Sequence, residues 1–161
     1  MSLGPTVTHV PAAESLLESL LPSSAQERHL TRLPAGTVIH RFGSPSRGIF
    51  FVKEGTIEVS LPAKDGHASS IFTIGTGGAV GLTAALSGEA HEFNATAVEP
   101  VVGVFVPADT LREWLIADPS SYFGIARVLS EWNERAIVEL RTRRCKGPRR
   151  SSEAPRSGGQ N

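Results

Sequence analysis

At 161 residues, with 40% hydrophobic and 20% charged side chains, the chain is long enough for one compact domain with appendages and too short for two full ones. The formal net charge is zero, yet up to Leu140 nine Lys or Arg face fifteen Asp or Glu, and from Arg141 onward seven basic residues face one acid. Eleven prolines, sixteen glycines and 6% aromatics speak against a long-helix bundle, and no apolar run nears the ~18 residues of a membrane span.

In chain order, residues 13–21 (AESLLESLL) place Leu16, Leu17, Leu20 and Leu21 on one helical face with Glu14 and Glu18 opposite. This predicts a short amphipathic helix ended by Pro22. A brief turn through Gln26 to Leu30 then leads to a first strand at Leu33. Short β-branched or aromatic runs bounded by Gly, Pro or Asp follow at 37–41, 48–53, 56–61, 68–74, 93–98 and 101–106. The Asp65-Gly66 pair inside PAKDGHA marks a hairpin loop. Between Ile74 and Phe93 the alternation breaks, and a patch at 82–86 framed by Gly81 and Gly88 predicts a one-turn helix. After Pro107, ADTLREWLIADP reads as a helix with Asp109 as N-cap, closing at Asp118-Pro119. A longer helix over 120–141 carries Tyr122, Ile125, Ala126, Leu129, Trp132, Ala136 and Leu140 as its apolar stripe.

Short strands at near-regular spacing point to an eight-stranded roll, because a flat sheet would leave its edges open. The expected fold is mainly β with flanking helices: a helical lead-in over 1–32, a double-stranded β-helix (jelly roll) over 33–107, helices over 108–141, and a disordered basic tail over 142–161. The lone Cys145 has no internal partner and reads as a bystander thiol. The first residues, MSLGPTVTHVPAAES, lack the basic and apolar regions of a signal peptide, so the expected location is cytoplasmic and no membrane partner is expected.

Within 33–59, glycines at 36, 43 and 55 punctuate alternating apolar runs. The pattern Gly-x-x-Ile, a second Gly before an aromatic-aliphatic run, then Gly-x-Ile-x-Val resembles the opening of a cyclic-nucleotide-binding domain of the catabolite-activator and FNR type. That family's phosphate cassette reads roughly F-G-E-L-A-L-L-x-G-x-P-R-S-A-T-V, and AVGLTAALSGEAHEFNA lies on it without a gap. The resemblance implies a degenerate ligand site at Gly81, Leu82, Thr83, Ala84, His91 and Glu92. Leu82 stands where the family's Glu accepts a ribose hydroxyl, His91 at its phosphate-binding Arg, and Glu92 at its Ser.

These replacements remove the chemistry an anionic ligand needs. Arg offers a permanent charge and a planar fork of donors, whereas a histidine is mostly neutral near pH 7. Glu92 adds a negative charge where a phosphate would sit, and Leu82 cannot hydrogen-bond a ribose. The combined loss is about 3–6 kcal/mol, or roughly two to four powers of ten in affinity. No binding of cyclic AMP or cyclic GMP at physiological concentrations is expected.

His40, His67 and His91 lie on separate strands or loops without the H-x-H and trailing Glu of metal-binding cupins, so no metal and no cofactor are expected. The resemblance implies the ligand-sensing and dimerisation part of a transcription regulator. Its effector would be an unidentified small molecule, and its homodimer would form through Ile125, Leu129, Trp132, Ala136 and Leu140 on the long helix. The segment after Leu140, RTRRCKGPRRSSEAPRSGGQN, shows no helix-turn-helix spacing, so no specific DNA binding by this chain alone is expected. Two alternatives are a small cupin-type metal-dependent enzyme and a ligand-free homodimeric interaction domain.

Overall fold

The computed structural model describes residues 8–10, 30–62 and 69–145. The helix expected at 13–21, the Asp65-Gly66 loop, His67 and the tail beyond Cys145 lie outside the described residues. The described strands are β1 (Thr8–Val10), β2 (Leu30–Leu33), β3 (Val38–His40), β4 (Gly48–Glu54), β5 (Ile57–Leu61), β6 (Ser69–Ile74), β7 (Ala79–Val80), β8 (Asn94–Ala97) and β9 (Val101–Pro107). Helix α1 (Leu82–Ser87) lies between β7 and β8, and α2 (Ala108–Ala117) and α3 (Ser121–Cys145) follow β9.

The strands form two sheets, ordered β1-β6-β5-β8-β3 and β2-β9-β4-β7. Strands β2 to β9 are joined by antiparallel pairs, while β1 adds to β6 in parallel. This is the expected jelly roll with flanking helices. Pairing from Ile57–Ile74 to Leu61–Ser69 sets β5 and β6 side by side and antiparallel.

Strand β4 shows why one run, GIFFV, is apolar without alternation. Phe50 and Val52 face the space between the sheets, where they pack with Ile57, Val59, Ile74, Val80, Ala95, Ala97 and Val101. Ile49 and Phe51 face the other way, into a second cluster with Leu82, Ala85, Val104, Val106, Leu111, Leu115, Ile125 and Val128. A strand buried on both faces loses the period-2 pattern, and each fully buried large side chain stabilises the fold by about 1.5–3 kcal/mol.

Three expectations are corrected. Leu30, read as part of a turn, begins β2, because its segment pairs with the far edge of β9 from Leu30–Val104 to Leu33–Val101. Asp109 is not the N-cap of α2: the helix starts at Ala108 with Pro107 in the cap position, and Asp109 instead pairs with Arg112 at 2.9 Å. Its fixed φ suits Pro107 (φ −56°, ψ 145°) to the strand-to-helix corner. The long helix starts at Ser121 rather than at 120, since Asp118 takes hydrogen bonds from the Ser120 amide (3.1 Å) and the Ser121 hydroxyl (3.0 Å) and turns the chain first. It runs on to Cys145, past the expected end at Arg141.

The two faces of α3 differ. Ile125 (4% exposed) and Val128 are buried against the sheet, and Leu129 and Trp132 pack on the same cluster. Of the residues expected in an intermolecular seam, Ile125 is buried in its own domain, and Leu129 and Trp132 are partly buried against the same cluster. Ala136 and Leu140 lie on the helix, with side chains outside the described set. Among the described residues, no helix is long and apolar enough to cross a membrane.

Candidate functional site

Strand β7 leads into α1 through a cramped corner. Gly81 caps the helix at φ +88°, and a Cβ there would meet the Gly48 carbonyl oxygen at 2.7 Å and the His91 ring at 3.4 Å. Only glycine avoids both the left-handed strain and that contact. The corner sets Leu82 into the core (1% exposed), buries Ala84 and leaves Thr83 exposed.

The loop after β3 and the segment before β8 are zipped together by backbone. The Gly43 amide donates to the His91 carbonyl (2.8 Å) and the His91 amide to the Ser44 carbonyl (2.9 Å). The Phe42 amide donates to the Asn94 side-chain oxygen (2.9 Å), and Pro45 bridges Ala90. With His40 aligned to Ala95 across β3 and β8, this zipper brings two imidazoles face to face. The rings of His40 and His91 stack with centroids 3.8 Å apart and planes 3° from parallel. Burial, and secondarily the neighbouring His91 charge, push the His40 pKa down from 6.5 to about 4. Burial also lowers that of His91, which is 6% exposed. Two stacked neutral rings are stable together, whereas two imidazolium ions would repel.

The imidazole pair stands between two hollows. One, of about 560 Å³, opens toward Arg41, Arg47 and Phe105. The other, of about 290 Å³, lies between the five-stranded sheet, α1 and the long helix. All six residues singled out by the cassette pattern, Gly81, Leu82, Thr83, Ala84, His91 and Glu92, line this smaller cavity. Sequence reasoning missed the rest of its wall, which includes His40, Val59, Phe72, Phe93, Glu89 and Trp132. No local signal pairs His40 with His91, since the pairing depends on the long-range zipper. The apolar spacing of Trp132 marked it as a packing residue, and it does pack on the helix-facing cluster while also reaching the cavity.

The cavity wall is mostly apolar, and among the described residues no Lys or Arg lines it. Leu82 carries no acceptor, and the His91 ring has only His40 as a partner among the contacts of the described residues. Among these residues, no group of three or more His, Cys, Asp or Glu is placed to hold a metal ion.

Residues 30–118, more than half of the chain, match the model of the cyclic nucleotide-binding domain. No curated protein sequence matches the chain. Among solved structures, the catabolite activator protein of Thermus thermophilus is similar with a TM-score of 0.66 at 19% identity, over 79% of this chain and 62% of that one. The N-terminal domain of a transcriptional regulator from Streptomyces coelicolor A3(2) gives 0.60 at 16% identity, over 79% of this chain and 91% of that one. The sensor domain of the transcriptional regulator DNR from Pseudomonas aeruginosa gives 0.61 at 16% identity, over 77% and 86%. At these identities the likeness is one of fold.

Proposed function

This chain belongs to the cyclic nucleotide-binding domain family, and we propose that it is the effector-sensing and dimerisation part of a regulator of the catabolite-activator and FNR type whose effector is not a cyclic nucleotide. One observation carries this reading: the cavity that the cassette positions line lies against the long helix and, among the described residues, has no Lys or Arg on its wall to hold a phosphate. Leu82 is core, His91 is a buried neutral ring in a stack, and among the described residues the only charged side chains on the wall are the carboxylates Glu89 and Glu92. An anion brought there would meet like charge and no fork of donors. Isothermal titration with cyclic AMP and cyclic GMP is expected to show no binding below about millimolar, and micromolar binding of either overturns the reading.

Trp132 gives the site an output. It belongs to α3 and lines the cavity, so a molecule in the cavity touches the helix directly. Such contact lets occupancy bias the helix only through a difference in contacts between two helix positions. The regulatory role needs no catalytic group.

The dimer seam is proposed on the outward face of α3. Phe123 is 83% exposed and Ile137 40% exposed, and Phe123, Ala126, Ser130, Asn133 and Ile137 follow the alternating three-four spacing of a coiled-coil stripe. Over 25 residues the helix is about 37 Å long, enough to carry such a seam. A second copy of the chain is the occupant this spacing fits, because a parallel twin presents the same stripe in register. Sedimentation is expected to show a dimer that Phe123→Glu with Ile137→Glu converts to monomer. A monomeric parent protein, or a dimer untouched by both changes, overturns the seam.

A further inference from the structure

The cavity's inventory of charge and aromatic surface also bears on the class of its ligand. Phe72 on β6, Phe93 just before β8 and Trp132 on α3 line it from three different elements. Phe72 and Phe93 meet edge to face, with centroids 6.5 Å apart and planes at 65°. Glu89 and Glu92, both exposed, stand on the same wall, and among the described residues no Lys or Arg does; Arg41 and Arg47 line the hollow on the other side of the imidazole pair. His91 is the independent sign of a ligand: it is a polar side chain more than nine-tenths buried, it lines the cavity, and no hydrogen bond to its ring is found among the described residues. A neutral imidazole there offers one acceptor nitrogen.

Resting on the reading of this cavity as the effector site, we propose that it takes a small organic ammonium ion with an apolar, aromatic body. The ammonium group is drawn by charge to the exposed carboxylates of Glu89 and Glu92 at the cavity wall, and the body lies among Phe72, Phe93 and Trp132. Aromatic faces carry negative quadrupole and attract a cation, more strongly where water is excluded. The same wall disfavours a carboxylate or phosphate by like charge. At about 290 Å³ the cavity is at the small end of ligand sites, which suits one aromatic ring and a short chain better than a nucleotide.

Three probes of one shape test this on the full chain: phenethylamine, 2-phenylethanol and phenylacetate, titrated calorimetrically near pH 7.5. The amine is expected to bind roughly tenfold or more tightly than the alcohol, with the carboxylate weakest. Glu89→Gln with Glu92→Gln is expected to bring the amine down to the level of the alcohol; both positions are exposed, so the fold survives, as circular dichroism would confirm. Equal binding of amine and alcohol, preference for the carboxylate, no binding of the amine, or amine binding that ignores the double change each overturns the ammonium proposal. Alcohol binding alone would leave the sensor reading standing, whereas micromolar cyclic AMP binding would remove that reading itself.

Discussion

Residues 33–59 and 81–93 flank the same cavity and obey different rules. The first stretch keeps the backbone pattern of its family, and its glycines 36, 43 and 55 take φ of +82°, +75° and +90° at the turns. The second also turns on glycines, with Gly81 and Gly88 in left-handed caps around α1, but at Leu82, His91 and Glu92 it departs from the cassette that the resemblance assigns. A fold is specified by turn geometry and burial pattern, a ligand by a few functional groups, and the two vary separately. Leu82 shows how far the separation has gone: the position that the resemblance assigns to a ribose acceptor is now part of the core beside Phe51 and Leu111.

The strongest way to break this contrast is in the scaffold. Phe51 is fully buried on the double-sided strand β4, so Phe51→Ala is expected to cost about 3–5 kcal/mol in urea unfolding. A cost below about 1 kcal/mol would mean that the burial pattern does not hold the roll together. Next comes the boundary between the two rules. Leu82→Glu places a carboxylate in the core and is expected to destabilise by about 3 kcal/mol, against less than about 1.5 kcal/mol for Leu82→Met. A Glu variant as stable as the parent would show the position still open to a ligand. If it folds, Leu82→Glu combined with His91→Arg is expected to gain measurable affinity for cyclic AMP, and no gain would count against the alignment of the cassette.

The smallest expected effect is a pH dependence set by the imidazole pair, which faces Glu89 and Glu92 on one side and Arg41 and Arg47 on the other. His40 titrates at about 4 when folded and near 6.5 when unfolded, so between these values the unfolded chain binds more protons. Stability therefore declines as pH falls through that window and levels off below it. With His40 partly exposed, the loss is about 1–2 kcal/mol. His40→Phe, which keeps a ring in the stack, is expected to flatten this part of the profile relative to the parent. An unchanged slope would remove His40 as its source.

Much of the architecture was legible along the chain because it rests on local rules. The six long strand runs, the one-turn helix between Gly81 and Gly88 and the stop at Asp118 follow from alternation and from residues that end elements. The short strand β7 was not legible, since two residues, Ala79 and Val80, carry no periodicity; their pairing with Phe50 and Phe51 is a tertiary event. The cap of α2 was misread for a related reason: Asp109 satisfies the sequence preference for a cap, but the backbone had already turned at Pro107.

The same division runs through the site. The sequence by itself determined which groups stand at the positions the resemblance marks, because a leucine cannot accept a hydrogen bond and a histidine is no arginine in any fold. It also determined that the long helix has apolar residues to bury. Only the tertiary structure decided which of them face inward, since a helix with apolar residues around much of its circumference has more than one candidate face until a sheet is laid against it. Only the tertiary structure, too, stacked His40 on His91 and ringed the cavity with Phe72, Phe93 and Trp132. Those residues come from separate elements, and the backbone zipper and the packing of α3 on the roll, rather than any local spacing, bring them together.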